Sequence, residues 1–133
     1  ERNNLHQEIS RLLPDFTSYR RFAPAGSYFQ GQQLASDLRI GIAMFIRNTL
    51  PIVEESGFYT YPDDSEIANN PKITMTGNFQ YVVVKSAGKD LLIGNLHGLW
   101  QPEGKIDTEN RIRQYEILSS ASLIPHQQPE LHQ

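Results

Sequence analysis

No cysteine occurs in the 133 residues. That excludes disulfides, thiolate nucleophiles and zinc–thiolate centres, and removes any sign of redox compartment. Positive charge is not in surplus either: 12 Lys and Arg against 15 Asp and Glu give a net charge of -3. Without a basic arm or stripe, broad non-specific binding to nucleic acid has no electrostatic support. A mildly acidic protein can still act on phosphodiesters when a divalent metal supplies the positive charge. No apolar run approaches the ~20 residues that cross a bilayer as a helix. The opening Glu1-Arg2-Asn3-Asn4 lacks the basic start and apolar stretch of a secretory leader. The expectation is a soluble chain, one domain or part of one, beginning in a polar loop.

The remaining pattern reads as mixed α and β. Residues 4–13 predict a helix, with Asn4 as cap, Gln7 reaching back to it, and Leu5, Ile9, Leu12 and Leu13 on one face; Pro14 ends it. Phe16 to Phe22 predicts a short strand, and residues 23–36 a loop. Residues 38–46 (Ile40, Ile42, Met44 and Ile46 against Gly41, Ala43 and Phe45) predict a strand buried on both faces. A second strand is expected over 52–60 with an interruption near Gly57, and residues 61–72 form a polar loop. A third strand covers 79–85 and a fourth Leu91 to His97, joined by the five-residue loop 86–90. A last helix spans 107–123, capped by Asp107 or Thr108, with Ile112, Tyr115, Leu118 and Ser122 at helical spacing. Pro125 stops it.

Short connections make consecutive antiparallel pairing the default. A meander of the four strands from residue 38 onward would bring specific residues to one rim. They are Asp37 and Arg39, Tyr59 and Tyr61, Asn78, and Asn95 with His97. The end of a strand that delivers polar side chains into a loop is where α/β folds tend to place chemistry. His97 is the histidine with a rigid strand behind it, and Asn95 shares its face two residues earlier. Trp100 could stack on a base or sugar, or anchor the loop. Asp63-Asp64-Ser65-Glu66 reads as a solvated acidic loop, and His126 and His132 lack metal-ligand spacing.

The string GNLHGLW, followed by Lys105, Asp107-Thr108-Glu109, Arg111 and Gln114, resembles the central motif of the endonuclease/exonuclease/phosphatase superfamily, the DNase I-like hydrolases. That motif is an apolar strand ending in Asn-x-His, then a loop and a helix bearing Arg-x-x-Gln. RIGIAMFIR and GNFQYVVVK resemble the strands that precede it, so the likeness covers about residues 5–124. It implies a largely antiparallel α/β (α+β) sandwich of DNase I type, with residues 1–133 forming the central part of the domain. It also implies hydrolysis of a phosphodiester or phosphomonoester with Mg²⁺ or Mn²⁺. Nucleic acid is the first substrate class, with phospholipid or sugar phosphate behind it. By that likeness His97 is a catalytic candidate, and Asn95, on the same strand face, joins it as a group that orients a catalytic neighbour or the phosphate. Arg39 and Asn78 at the expected rim and Trp100 in the following loop are the substrate-binding candidates from position and chemistry, Gly77 and Asn78 standing where the family often has a basic residue. Arg111 and Gln114 would serve docking.

The departures are as informative as the matches. The family's Gln-Glu metal motif ends an early apolar strand, whereas Gln7-Glu8 here lies in a helix, so no metal ligand is assigned. Neither Gly-Asp-x-Asn nor a closing Asp-His pair occurs in the sequence. The chain by itself is therefore expected to be inactive, and an incomplete sandwich is expected to leave a sheet face uncovered. The competing reading is a non-catalytic α/β binding or interaction domain.

Overall fold

Residues 78–84 are buried on both faces of their strand, and the fold is assembled around them. The computed structural model describes residues 4–22, 28–29, 32–33, 35, 41–61, 77–99 and 106–121. The elements are α1 (Leu5–Leu12), β1 (Phe16–Phe22), β2 (Tyr28–Phe29), β3 (Gln32–Gln33), β4 (Gly41–Arg47), β5 (Ile52–Tyr59), β6 (Asn78–Ser86), β7 (Lys89–Leu96) and α2 (Glu109–Ser120). The fold is mixed α+β with antiparallel sheets: β1 with β4, β2 with β3, and β5-β6-β7.

Alternation along β6 explains the layers. Val82 and Val84 point one way and pack with Met44 and Ile46 of β4, with Tyr19, Leu50 and Ile93 around them. Phe79, Tyr81 and Val83 point the other way and pack with Phe58, Leu92, Leu96 and Leu118 of α2. On the outer side of the β1–β4 sheet, the His6 ring of α1 stacks on Phe45 at 5.8 Å. The order is therefore helix, two-stranded sheet, three-stranded sheet, helix. The two sheets meet through Met44, Ile46, Val82 and Val84, while Phe22, Ile52 and Leu91 stay exposed, so the sheet faces are only partly covered.

Several sequence expectations are corrected. The strand expected at 38–46 does not pair with its successor at 52–60; β4 pairs with β1, from Phe16↔Arg47 to Phe22↔Gly41. The short link after Arg47 carries the chain from one sheet to the other, so proximity in sequence does not decide the pairing. β4 is buried chiefly on the Met44 and Ile46 face, while Ala43 is exposed. The strand enclosed on both sides is β6. β5 runs unbroken past Gly57, and its irregularity is a bulge between Ile52 and Glu54. The 86–90 loop is a two-residue turn, with Ala87 (φ 50) and Gly88 (φ 76) both left-handed, as a tight hairpin requires.

The helices also bury other stripes than expected. Asn4 caps α1 by accepting from the Gln7 N–H at 3.2 Å, yet Leu5 and Leu12 are exposed and His6 faces the sheet. Glu8 is exposed, as expected for a solvated helix residue. Thr108, not Asp107, caps α2, accepting from the Arg111 N–H at 3.3 Å. Its buried residue is Gln114, while Ile112 and Tyr115 are exposed. Among the described residues no helix is long and apolar enough to cross a membrane.

Candidate functional site

The rim at the end of β7 does gather the residues expected of the three-stranded sheet. Register places Tyr59 opposite Asn78, and Gln80 opposite Asn95. The His97 N–H donates to the Asn78 carbonyl at 3.0 Å, and the Gly77 N–H donates to the His97 carbonyl at 2.7 Å. The backbone of His97 is thus clamped on both sides while its residue remains exposed. Gly77, with φ +99, permits this close bend; a Cβ there would lie 2.7 Å from the Tyr61 ring. Arg39 and Trp100, expected to bind substrate, lie outside the described residues, as do Asp37, Lys105 and the 61–72 loop beyond Tyr61.

The segment after His97 is pinned by the Arg-x-x-Gln pair. Leu99 is buried; its N–H donates to Gln114 Oε1 at 3.1 Å, and its carbonyl accepts from Arg111 Nε at 3.3 Å. Gln114 Nε2 donates in turn to Thr60 Oγ1 at 2.7 Å, and that hydroxyl donates to the Gly77 carbonyl at 2.9 Å. Arg111 Nη1 donates to the Ile106 carbonyl. A continuous chain of bonds therefore runs from α2 to the backbone that holds His97. This is the docking role expected of Arg111 and Gln114.

The space between the two sheets changes character along its length. Toward the hairpin it is filled by Met44, Ile46, Val82 and Val84. Toward the His97 rim the same strand faces carry Arg21, Asn78, Gln80 and Asn95, as alternation and register require. Asn95 Nδ2 donates to the Ala43 carbonyl of β4 at 3.2 Å, tying one sheet to the other. Asn78 and Gln80 are buried, and Arg21 is half-buried. Both amide atoms of Gln80 and the Nε of Arg21 are buried without a hydrogen-bond partner among the described residues. Sequence reasoning missed Arg21 and Gln80. The available signal was a glutamine at an inward position of an otherwise apolar strand, Phe79-Gln80-Tyr81-Val82.

An aromatic patch borders the rim. Tyr61 is buried against Leu99, and its ring meets that of Tyr59 edge-on at 5.7 Å. Burial pushes the Tyr61 phenol well above the ordinary tyrosine value of 10.0; Tyr59 adds to the rise and the Arg111 charge opposes it. Its hydroxyl has no hydrogen-bond partner among the described residues. The unfolded chain, ionising near the ordinary value, loses this proton first. The titration of Tyr61 therefore leaves stability unchanged up to about pH 10 and lowers it as pH rises from there through the folded value. Tyr61→Phe removes a buried unpaired hydroxyl and is expected to gain about 1 kcal/mol at neutral pH. It should also flatten the alkaline loss of stability in urea titrations at several pH values. Some slope will remain, because burial raises Tyr59, and the hydrogen bond to Glu54 raises Tyr81. A loss of more than about 1 kcal/mol in the variant would contradict the unpaired hydroxyl.

Comparison with known protein families, with curated proteins and with solved structures finds no match to this chain.

Proposed function

We propose that this chain is a phosphoric-ester-binding part of a hydrolase domain, and more narrowly of a metal-dependent phosphodiesterase of the DNase I-like type. The observation that carries the reading is the exposed His97 at the inter-sheet rim, with its backbone held by Asn78 and Gly77 and its following loop held by Arg111 and Gln114. The helix–sheet–sheet–helix order and the Asn-x-His strand end support it. In an attacked phosphodiester, charge gathers on the non-bridging oxygens. A positioned imidazole N–H answers that charge, and imidazole also passes protons near neutral pH. His97 is assigned that donor role, and the clamped backbone fixes where the ring starts.

The resemblance implies Mg²⁺ or Mn²⁺, which would polarise the phosphate and stabilise the leaving oxygen. Such ions take oxygen ligands, with carboxylates prominent. The described rim offers the amides of Asn78, Gln80 and Asn95 and no carboxylate. Among the described residues no group of three or more His, Cys, Asp or Glu could hold a metal. These residues do not fit a metal site, so the chemistry assigned to them is donation to phosphate and positioning.

The test is titration of the chain with dimethyl phosphate, following the His97 imidazole signals by NMR. They are expected to move in the wild type, and the binding response is expected to vanish in His97→Ala. An unmoved His97 at tens of millimolar ester would refute the reading. With Mg²⁺ or Mn²⁺ added, no turnover of bis-(4-nitrophenyl) phosphate is expected from this chain. Turnover lost in His97→Ala would show instead that the chain carries its own metal site and base.

A further inference from the structure

We propose that Gln80 and Arg21 are the phosphate-binding residues at the floor of this site, taking the amide role that Asn95 does not supply. The proposal rests on the phosphoric-ester reading above and names the groups that hold the anion.

The geometry begins with three residues in line across the sheets. Gln80 pairs with Asn95 on one side and with Gly57 on the other. Arg21 projects from β1 into the same space, and its Cδ lies 3.0 Å from where a Cβ on Gly57 would stand. The arginine stem therefore lies over the gap that glycine leaves beside Gln80. Asn95, the neighbouring amide, already donates across to β4.

Chemistry then separates the two amides. Gln80 is 1% exposed, yet neither its Nε2 nor its Oε1 has a partner among the described residues, and the Arg21 Nε is likewise buried and unpartnered. An enclosed polar group without a partner is costly and rare, and a bound water, an ion or a functional role is what accounts for one. Two N–H donors, one of them charged, suit the oxygens of a phosphate. The Gln80 carbonyl oxygen suits a protonated phosphate oxygen. Arg21 is long and only half-buried. In the proposed binding step its side chain rotates to admit the anion, whose charge attracts the guanidinium. A leucine or valine at position 80 would pack with Val82 and Val84 at no such cost, so the amide here opposes stability.

The experiment uses inorganic phosphate and the whole chain, with binding followed by NMR and thermal melting. Gln80→Met keeps length and removes both polar atoms. It is expected to melt about 5 °C higher without phosphate, and to bind phosphate about tenfold more weakly or worse. Arg21→Gln is expected to weaken binding similarly, with little change in melting. If Gln80→Met and Arg21→Gln bind phosphate as the wild type does while His97→Ala does not, the assignment of Gln80 and Arg21 is wrong and the phosphoric-ester reading stands. If the wild type fails to bind phosphate, both fall. If Gln80→Met loses binding but melts lower, the amide is part of the scaffold and the assignment is overturned.

Discussion

Gln114→Ala is expected to lower stability by about 2–4 kcal/mol, a fall in Tm of about 10 °C for a domain of this size. The side chain is 2% exposed and uses both ends of its amide. Oε1 accepts from Leu99 N–H, and Nε2 donates to Thr60 Oγ1. Truncation leaves the Leu99 N–H buried without that acceptor, and Thr60 without its donor. Leaving such groups unpaired costs more than a typical hydrogen bond is worth. Gln114→Leu should recover the lost volume and little of the energy, because the orphaned groups remain. The effect should also be local before it is global. Hydrogen exchange at Leu99 should speed up, and the His97 signals should broaden or shift, since both belong to one bonded chain through Thr60 and Gly77. Denaturant melts of both variants decide the matter; a loss below about 0.5 kcal/mol would show that the amide network is not what holds α2.

That network also marks what could be read in the sequence. Asn4 and Thr108 announce the helix starts, because capping is a local interaction that spacing reveals. β1, β5, β6 and β7 end within a residue or two of the expected positions, β6 and β7 following apolar runs. The pairing of β4 with β1 was not legible. It depends on which apolar faces meet across the sandwich, and a short link gave the wrong cue. The buried stripe of α2 was misplaced for a different reason. Apolar periodicity selected Ile112, Tyr115 and Leu118; Leu118 does pack on β6, but two specific hydrogen bonds bury Gln114, and Ile112 and Tyr115 lie in water. The same limitation hid Gln80 and Arg21. Periodicity reads where apolar residues go, and a polar residue among them gives no sign of whether a partner awaits it. His97 and Asn78 were legible as a pair because strand ends and register are set by the hairpin.

Gly57→Ala is expected to cost about 2–3 kcal/mol and to disturb phosphate binding at the same time. Glycine inside a strand weakens it and often marks a place where another group approaches closely, and here three do. A Cβ at position 57 would lie 2.5 Å from the Phe79 carbonyl oxygen, 3.0 Å from Arg21 Cδ and 3.2 Å from Gln80 Cα. Arg21 can swing away; the Phe79 carbonyl and Gln80 Cα can move only if β5 and β6 shift against each other. The backbone contacts should therefore dominate the cost. The double variant Gly57→Ala with Arg21→Ala separates the two causes. Stability in the double variant should stay near that of Gly57→Ala alone, with an interaction energy below about 0.5 kcal/mol. Recovery to the Arg21→Ala level would assign the strain to the arginine and leave the strands free of it. Phosphate affinity should fall in all three variants, because each removes or displaces the guanidinium beside Gln80. A Gly57→Ala protein with full stability and full phosphate affinity would mean that the close approach of β6 and Arg21 to Gly57 does not hold in solution.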